Sequence, residues 1–175
     1  DVDEIPNLEN FNYKFKKKLI FFKQKMYYYK FNLKYGNKEW IGTKGCLKKN
    51  LINPQWLRDI KGRNYSFWRL DILFSKMKYS SIEYVENGGW HFTNLRTAEE
   101  LKKKLENFGH NAEFHESGLN IKDITKMMKN NLAIYDYEAD MKGSKWSGKP
   151  LLKVNSLELP EYILKNREKY FNWFD

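Results

Sequence analysis

The alternation of strand-like and helix-like stretches is what most restricts the fold. The segment from Lys25 to Leu33 carries the run Met26-Tyr27-Tyr28-Tyr29, which suits a pleated, half-buried surface, and Tyr35-Gly36-Asn37 is a turn signal that ends it. Cys46 to Ile52 is a second, weaker strand, closed by Asn53-Pro54. Pro54 to Ile60 reads as a short helix that Gly62-Arg63-Asn64 breaks, and the apolar stretch from Phe67 to Lys78 is expected to be helical. Ser81 to Glu86 and Trp90 to Thr93 read as strands flanking a Gly88-Gly89 turn. Thr97-Ala98-Glu99-Glu100 is a capping box opening a helix with Leu101, Leu105 and Phe108 on its buried face and Gly109 at its end. Asn120 caps a second amphipathic helix that presents Ile121, Ile124, Met127 and Met128. Pro6 is expected to open a helix over Asn7 to Lys18, and Pro160 a last helix packed through Tyr162, Ile163, Tyr170 and Trp173. Residues 141–149 are irregular. Strands interleaved with helices predict an α/β layer structure, and 175 residues with 41% hydrophobic content suffice for one domain over residues 1–175.

A net charge of +10 would favour contact with phosphates. The basic residues are mostly lysines spread along the chain, and no zinc spacing, helix-turn-helix pattern or ribonucleoprotein-type motif accompanies them, so no nucleic-acid role is expected. The longest apolar cluster, Leu19 to Phe22, is far too short to span a membrane. The single cysteine, Cys46, cannot form an internal disulfide, which fits a reducing, cytoplasmic compartment.

Asp1 and Asp3 are separated by one residue and point the same way if the segment is extended. Two carboxylates on one side make a site for a hard divalent cation such as Mg²⁺ or Mn²⁺, with Glu4 as an added acceptor.

The segment Asp1-Val2-Asp3-Glu4-Ile5-Pro6-Asn7 resembles the DxDEIP element of glycosyltransferase family 17, the family of the bisecting N-acetylglucosaminyltransferase. Further segments fall in that family's order: Tyr27-Tyr28-Tyr29, Trp40-Ile41-Gly42-Thr43, Pro54 to Arg58, and Gly88-Gly89-Trp90-His91-Phe92. Phe108-Gly109-His110 and Leu159-Pro160-Glu161-Tyr162 with Asn166 follow, so the ordered set covers nearly the whole chain.

The resemblance implies a GT-A-like fold whose DxD motif holds Mn²⁺ or Mg²⁺ against the diphosphate of a UDP-sugar, with Asp1, Asp3 and His110 as metal ligands. His115 is a nearby competitor for the last role. It implies UDP-N-acetylglucosamine as donor and a glycan as acceptor. The nucleotide-binding half of such a fold is expected upstream of Asp1, beyond this chain. Gly88 and Gly89 would let backbone approach a ligand, Trp90 would be either a sugar platform or a core aromatic, His91 would bond a sugar hydroxyl or a phosphate, and Arg58 and Arg63 would contact phosphates. Relatives invert at the anomeric carbon, which requires a base, and Glu86, Glu113 and Glu116 are the candidates. Glu113 stands three positions after His110, where the family has its acidic residue two positions on. Two other classes stay open: a silent sugar- or nucleotide-binding fragment, and a basic nucleic-acid or anionic-surface binder recognisable by steep salt dependence without a metal requirement.

Overall fold

The computed structural model describes residues 1–9, 11–63, 65–66, 68–72, 74–79, 81–107, 111–141 and 144–175. They fall into two compact units, residues 1–25 with 39–91 and residues 26–38 with 92–175. The architecture is mixed α/β, and its main sheet is mixed in strand direction.

The first unit contains β1 (Glu4–Pro6), the start of β2 (Leu19–Tyr28), the later part of β3 (Leu33–Cys46), α1 (Pro54–Asp59), β4 (Ile82–Val85) and the start of β5 (Gly89–Thr93). β4 runs parallel to β2, with Leu19 opposite Ile82 and Phe22 opposite Val85. β1 runs antiparallel to β5, with Glu4 opposite His91 and Pro6 opposite Gly89. On one face of β2, Leu19 and Phe21 pack with Ile82 against Trp56 and Ile60 of the α1 region. On the other, the Phe22 ring lies 5.3 Å from Phe11. Cover on both faces explains the unbroken apolar run Leu19 to Phe22. Asn53 caps α1 by accepting from Trp56 N at 2.7 Å, while Lys44 Nζ donates to the carbonyls of Arg58 and Ile60 at its other end.

The second unit adds α2 (Ala98–Asn107), α3 (Asn111–Glu116), α4 (Ile121–Lys129), β6 (Leu132–Ala133), β7 (Lys149–Pro150), β8 (Leu152–Lys153) and α5 (Glu161–Lys165). β6 pairs with β7, and β8 runs antiparallel to the start of β3. The strand order of the larger sheet is β1-β5-β2-β3-β8, with β4 also on β2. Tyr27, Tyr28, Tyr29 and Tyr35 are buried here. The Tyr29 hydroxyl donates to Leu132 O at 3.1 Å and accepts from Ile134 N at 2.9 Å. Burial pushes the Tyr29 and Tyr35 phenols well above their ordinary range.

Several expected elements differ. Residues 7–18 form no helix among those described; the chain leaves β1 at Pro6, and Phe11 packs its ring against Tyr13, Phe15 and Phe22. β2 begins at Leu19 rather than Lys25, and the turn falls at residues 29–32, where Tyr29 takes a φ of 64°, rather than at Gly36. The Cys46 to Ile52 strand is instead the end of β3 followed by a 3-10 turn over Lys48–Asn50. The helix expected from Phe67 to Lys78 is reduced to a 3-10 turn at Leu70–Ile72, with Phe67 and Leu73 outside the described residues. Tyr162, expected to pack, is exposed. α1, β4, β5, α2 and α4 occur where the sequence places them, with Phe108 and Gly109 at the expected end of α2 outside the described residues, whereas the last helix stops at Lys165 and Trp173 falls in a separate 3-10 turn, Phe171–Trp173.

Candidate functional site

β1 and β5 bring two parts of the sequence together at one point of the first unit. Asp3, Glu4 and His91 each place a carboxylate oxygen or ring nitrogen within 4.8 Å of the others. It is the one group of three such side chains among the described residues. The convergence follows from register, since Glu4 and His91 are opposite each other in the β1–β5 ladder.

β3 supplies the floor. The Trp40 indole Nε1–H donates to Glu4 Oε1 at 2.9 Å, and the Trp40 ring lies parallel to His91 with centroids 4.7 Å apart and an interplanar angle of 11°. Gly42 is two residues further on and therefore on the same strand face. A Cβ at Gly42 would stand 2.1 Å from Glu4 Oε1 and 2.5 Å from Trp40 Nε1, so the carboxylate occupies the space that the glycine leaves. Lys44 follows at the same spacing. Burial lowers the pKa of its ammonium and the negative charge of Glu4 acts against that, which places a cationic group within electrostatic reach of the carboxylate.

The Glu4 side chain is only 5% exposed. A carboxylate this buried is costly unless hydrogen-bonded and balanced by positive charge. Trp40 supplies a hydrogen bond, the Asp1 ammonium 3.6 Å from Glu4 Oε2 and the more distant Lys44 supply positive charge, and a divalent cation beside Asp3 and His91 would add to the balance. The donor set fits one. Two carboxylates with an imidazole suit Mn²⁺ better than Mg²⁺, which prefers oxygen ligands alone.

The other expected site residues are distributed as follows. Asp1 lies in the turn before β1 with its Oδ1 3.4 Å from Arg58 Nη2, so Arg58 meets an acidic group of this same segment. Gly88 and Gly89 are places of close approach, and what approaches is the chain's own backbone: Phe22 and Lys23 at Gly88, Ile5 to Asn7 at Gly89. Trp90 is half-buried in β5 opposite Ile5. Glu86 binds Lys23 Nζ at 2.7 Å, and the same ammonium reaches Glu39 at 3.4 Å. Glu113 and Glu116 sit on α3 in the second unit, half-buried and exposed respectively, beside the exposed His115. His110 lies outside the described residues.

Sequence reasoning did not find the parts played by Trp40, Gly42 and Lys44. A period-two pattern, Trp40-x-Gly42-x-Lys44, was the available signal, but only pairing of β3 with its neighbours reveals which face it serves. No family model, no curated protein and no solved structure matches the chain.

Proposed function

We propose that this chain is the metal-binding and acceptor-side part of a nucleotide-sugar glycosyltransferase of GT-A-like fold. It would move N-acetylglucosamine from its UDP conjugate to a hydroxyl of a glycan with inversion. One observation carries the reading: three segments far apart in the sequence, each part of the resemblance to glycosyltransferase family 17, meet in one cluster. Asp3 and Glu4 come from the DxDEIP segment, Trp40 and Gly42 from Trp-Ile-Gly-Thr, and His91 from Gly-Gly-Trp-His.

Asp3, Glu4 and His91 would hold the cation, with Asp1 directed to Arg58. A divalent cation there stabilises the negative charge that builds on a departing diphosphate. Trp40 and Gly42 fix the Glu4 carboxylate, and the Trp40 ring fixes the plane of His91. Trp40 is thus a positioning residue in the sense of an outer-shell partner. Glu86 is engaged by Lys23, so its use as a base would require that ion pair to open.

The test is UDP binding by calorimetry with Mn²⁺ and with EDTA. Binding with Mn²⁺ that disappears in EDTA is expected. Asp3→Asn and Glu4→Gln should each weaken Mn²⁺ binding tenfold or more, whereas Asp1→Asn should change it less than about threefold. UDP binding indifferent to EDTA, or an Asp1 effect larger than that of Glu4, would sink the assignment.

A further inference from the structure

We infer that a second place in the first unit, the cleft between Asn7, Phe11 and Asn12 on one side and the end of β4 on the other, binds a neutral saccharide. The binding does not depend on the reading proposed above.

The cleft has a volume of about 320 Å³, and Asn7, Phe11, Asn12, Glu83, Val85 and Asn87 are among the residues that line it. Three side-chain amides beside an aromatic ring and a carboxylate form the mixture that saccharides require, hydrogen-bonding groups around an apolar surface. Two of the amides are oriented. Asn7 Oδ1 accepts from Glu9 N at 3.2 Å and Asn12 Oδ1 from Lys14 N at 2.9 Å, which leaves each NH₂ group as the donor offered to a ligand hydroxyl. Phe11 is held by neighbouring rings, with Tyr13 at 4.9 Å and Phe22 at 5.3 Å.

Charge selects the class of ligand. This chain carries a net charge of +10, yet among the described residues no lysine or arginine lines the cleft, and its charged members are Glu83 and Glu86, the latter paired with Lys23. Another cleft of this unit, near the start of β2, has Lys18 and Lys49 in its lining. Anionic ligands such as phosphates or uronic acids are favoured there and disfavoured at Glu83.

Position links the cleft to the Asp3–Glu4–His91 cluster. Asn7 N donates to Gly88 O at 2.9 Å, continuing the β1–β5 ladder one step beyond Pro6. Asn7 is three residues from Glu4 along that ladder, about 10 Å at strand rise. The two-residue period of a strand turns the Asn7 side chain to the side opposite that of Glu4, so the cleft and the cluster are joined by one strand and share no lining residue.

The experiment is a ¹⁵N–¹H titration of the full chain with chitotriose and with mannotriose, and with trigalacturonate as an acidic control. Shifts at the side-chain amides of Asn7, Asn12 and Asn87 with at least one neutral sugar are expected, and none with trigalacturonate. Asn12→Ala, at an exposed position, should weaken binding roughly threefold to tenfold, the worth of one hydrogen bond, and Lys49→Ala should not change it. No shift with either neutral sugar, shifts centred on Lys18 and Lys49, or equal binding of trigalacturonate would overturn the inference. Mn²⁺ broadening of Asp3, Glu4 and His91 signals, recorded on the same sample, separates the two claims. Broadening without saccharide shifts removes this subsite and leaves the transferase reading, and the reverse result removes the transferase reading and leaves the subsite.

Discussion

Gly42 is the residue on which the candidate site turns, because the Glu4 carboxylate lies where its side chain would be. The clashing atoms belong to the far ends of the Glu4 and Trp40 side chains rather than to backbone, so Gly42→Ala can be accommodated by moving them. The variant is therefore expected to stay folded, losing about 1 kcal/mol with the Trp40–Glu4 hydrogen bond, while its Mn²⁺ affinity falls roughly tenfold to a hundredfold. Thermal melting and a Mn²⁺ titration on the same preparation check both halves, and an unchanged Mn²⁺ affinity would remove Glu4 from the site. At this scale the sequence revealed part of the cluster. Asp3 is legible as half of an alternating acidic pair, whereas His91 stands out in the sequence only as a contact to sugar hydroxyls or phosphates, the metal-ligating histidine being expected at His110. Asp1 was selected by the same alternation, which would put Asp1 and Asp3 on one side of an extended strand. The chain forms a turn there instead, and β1 starts only at Glu4. That makes Glu4 the residue that faces His91.

Among the elements, β1 shows most clearly how pairing overrides local preference. Pro6, followed by Leu8, Phe11 and Phe15, has the beginning of a helical pattern, but Pro6 ends a three-residue edge strand, a position where a missing N–H is tolerated. The aromatic residues behind it pack as a cluster over Phe22 rather than as one face of a helix. Gly89 is the partner that makes this edge strand fit. Its φ of +131° and an Ile5 carbonyl 2.1 Å from the place of a Cβ leave no room for a side chain. Gly89→Ala must move backbone, so it is expected to destabilise the protein by at least about 1–3 kcal/mol from conformational strain. At about 2–4 °C per kcal/mol for a chain of this size, melting reads this easily; a Tm within 1 °C of the parent would contradict the β1–β5 pairing. By contrast α2 and α4 were legible because their signals are local. Thr97 and Glu100 exchange the backbone hydrogen bonds of a capping box at 3.1 and 3.3 Å, and Asn120 with Asp123 does the same for α4. β2 was half legible, since its tyrosines announced a strand while Leu19 to Phe22, flanked by lysines, gave no alternation to count.

At the scale of the whole molecule, the positive charge and the candidate cation site make opposite demands, and salt distinguishes them. A net charge of +10 attracts any polyanion over long distances. That attraction is screened as the Debye length shrinks from about 10 Å at 0.1 M salt to about 3 Å at 1 M. Coordination by Asp3, Glu4 and His91 would act at bond length and be barely screened. UDP affinity measured with Mn²⁺ is therefore expected to change less than about fivefold between 50 and 500 mM NaCl. Retention of a random RNA, depending on distributed lysines, should fall roughly a hundredfold or more over the same range, with or without Mn²⁺. The comparison decides between the transferase reading and the basic-surface alternative because both ligands carry phosphate and differ only in how it is held. If UDP binding falls as steeply as RNA binding and ignores the metal, the lysines rather than the cluster hold the nucleotide, and the charge of the chain becomes its function.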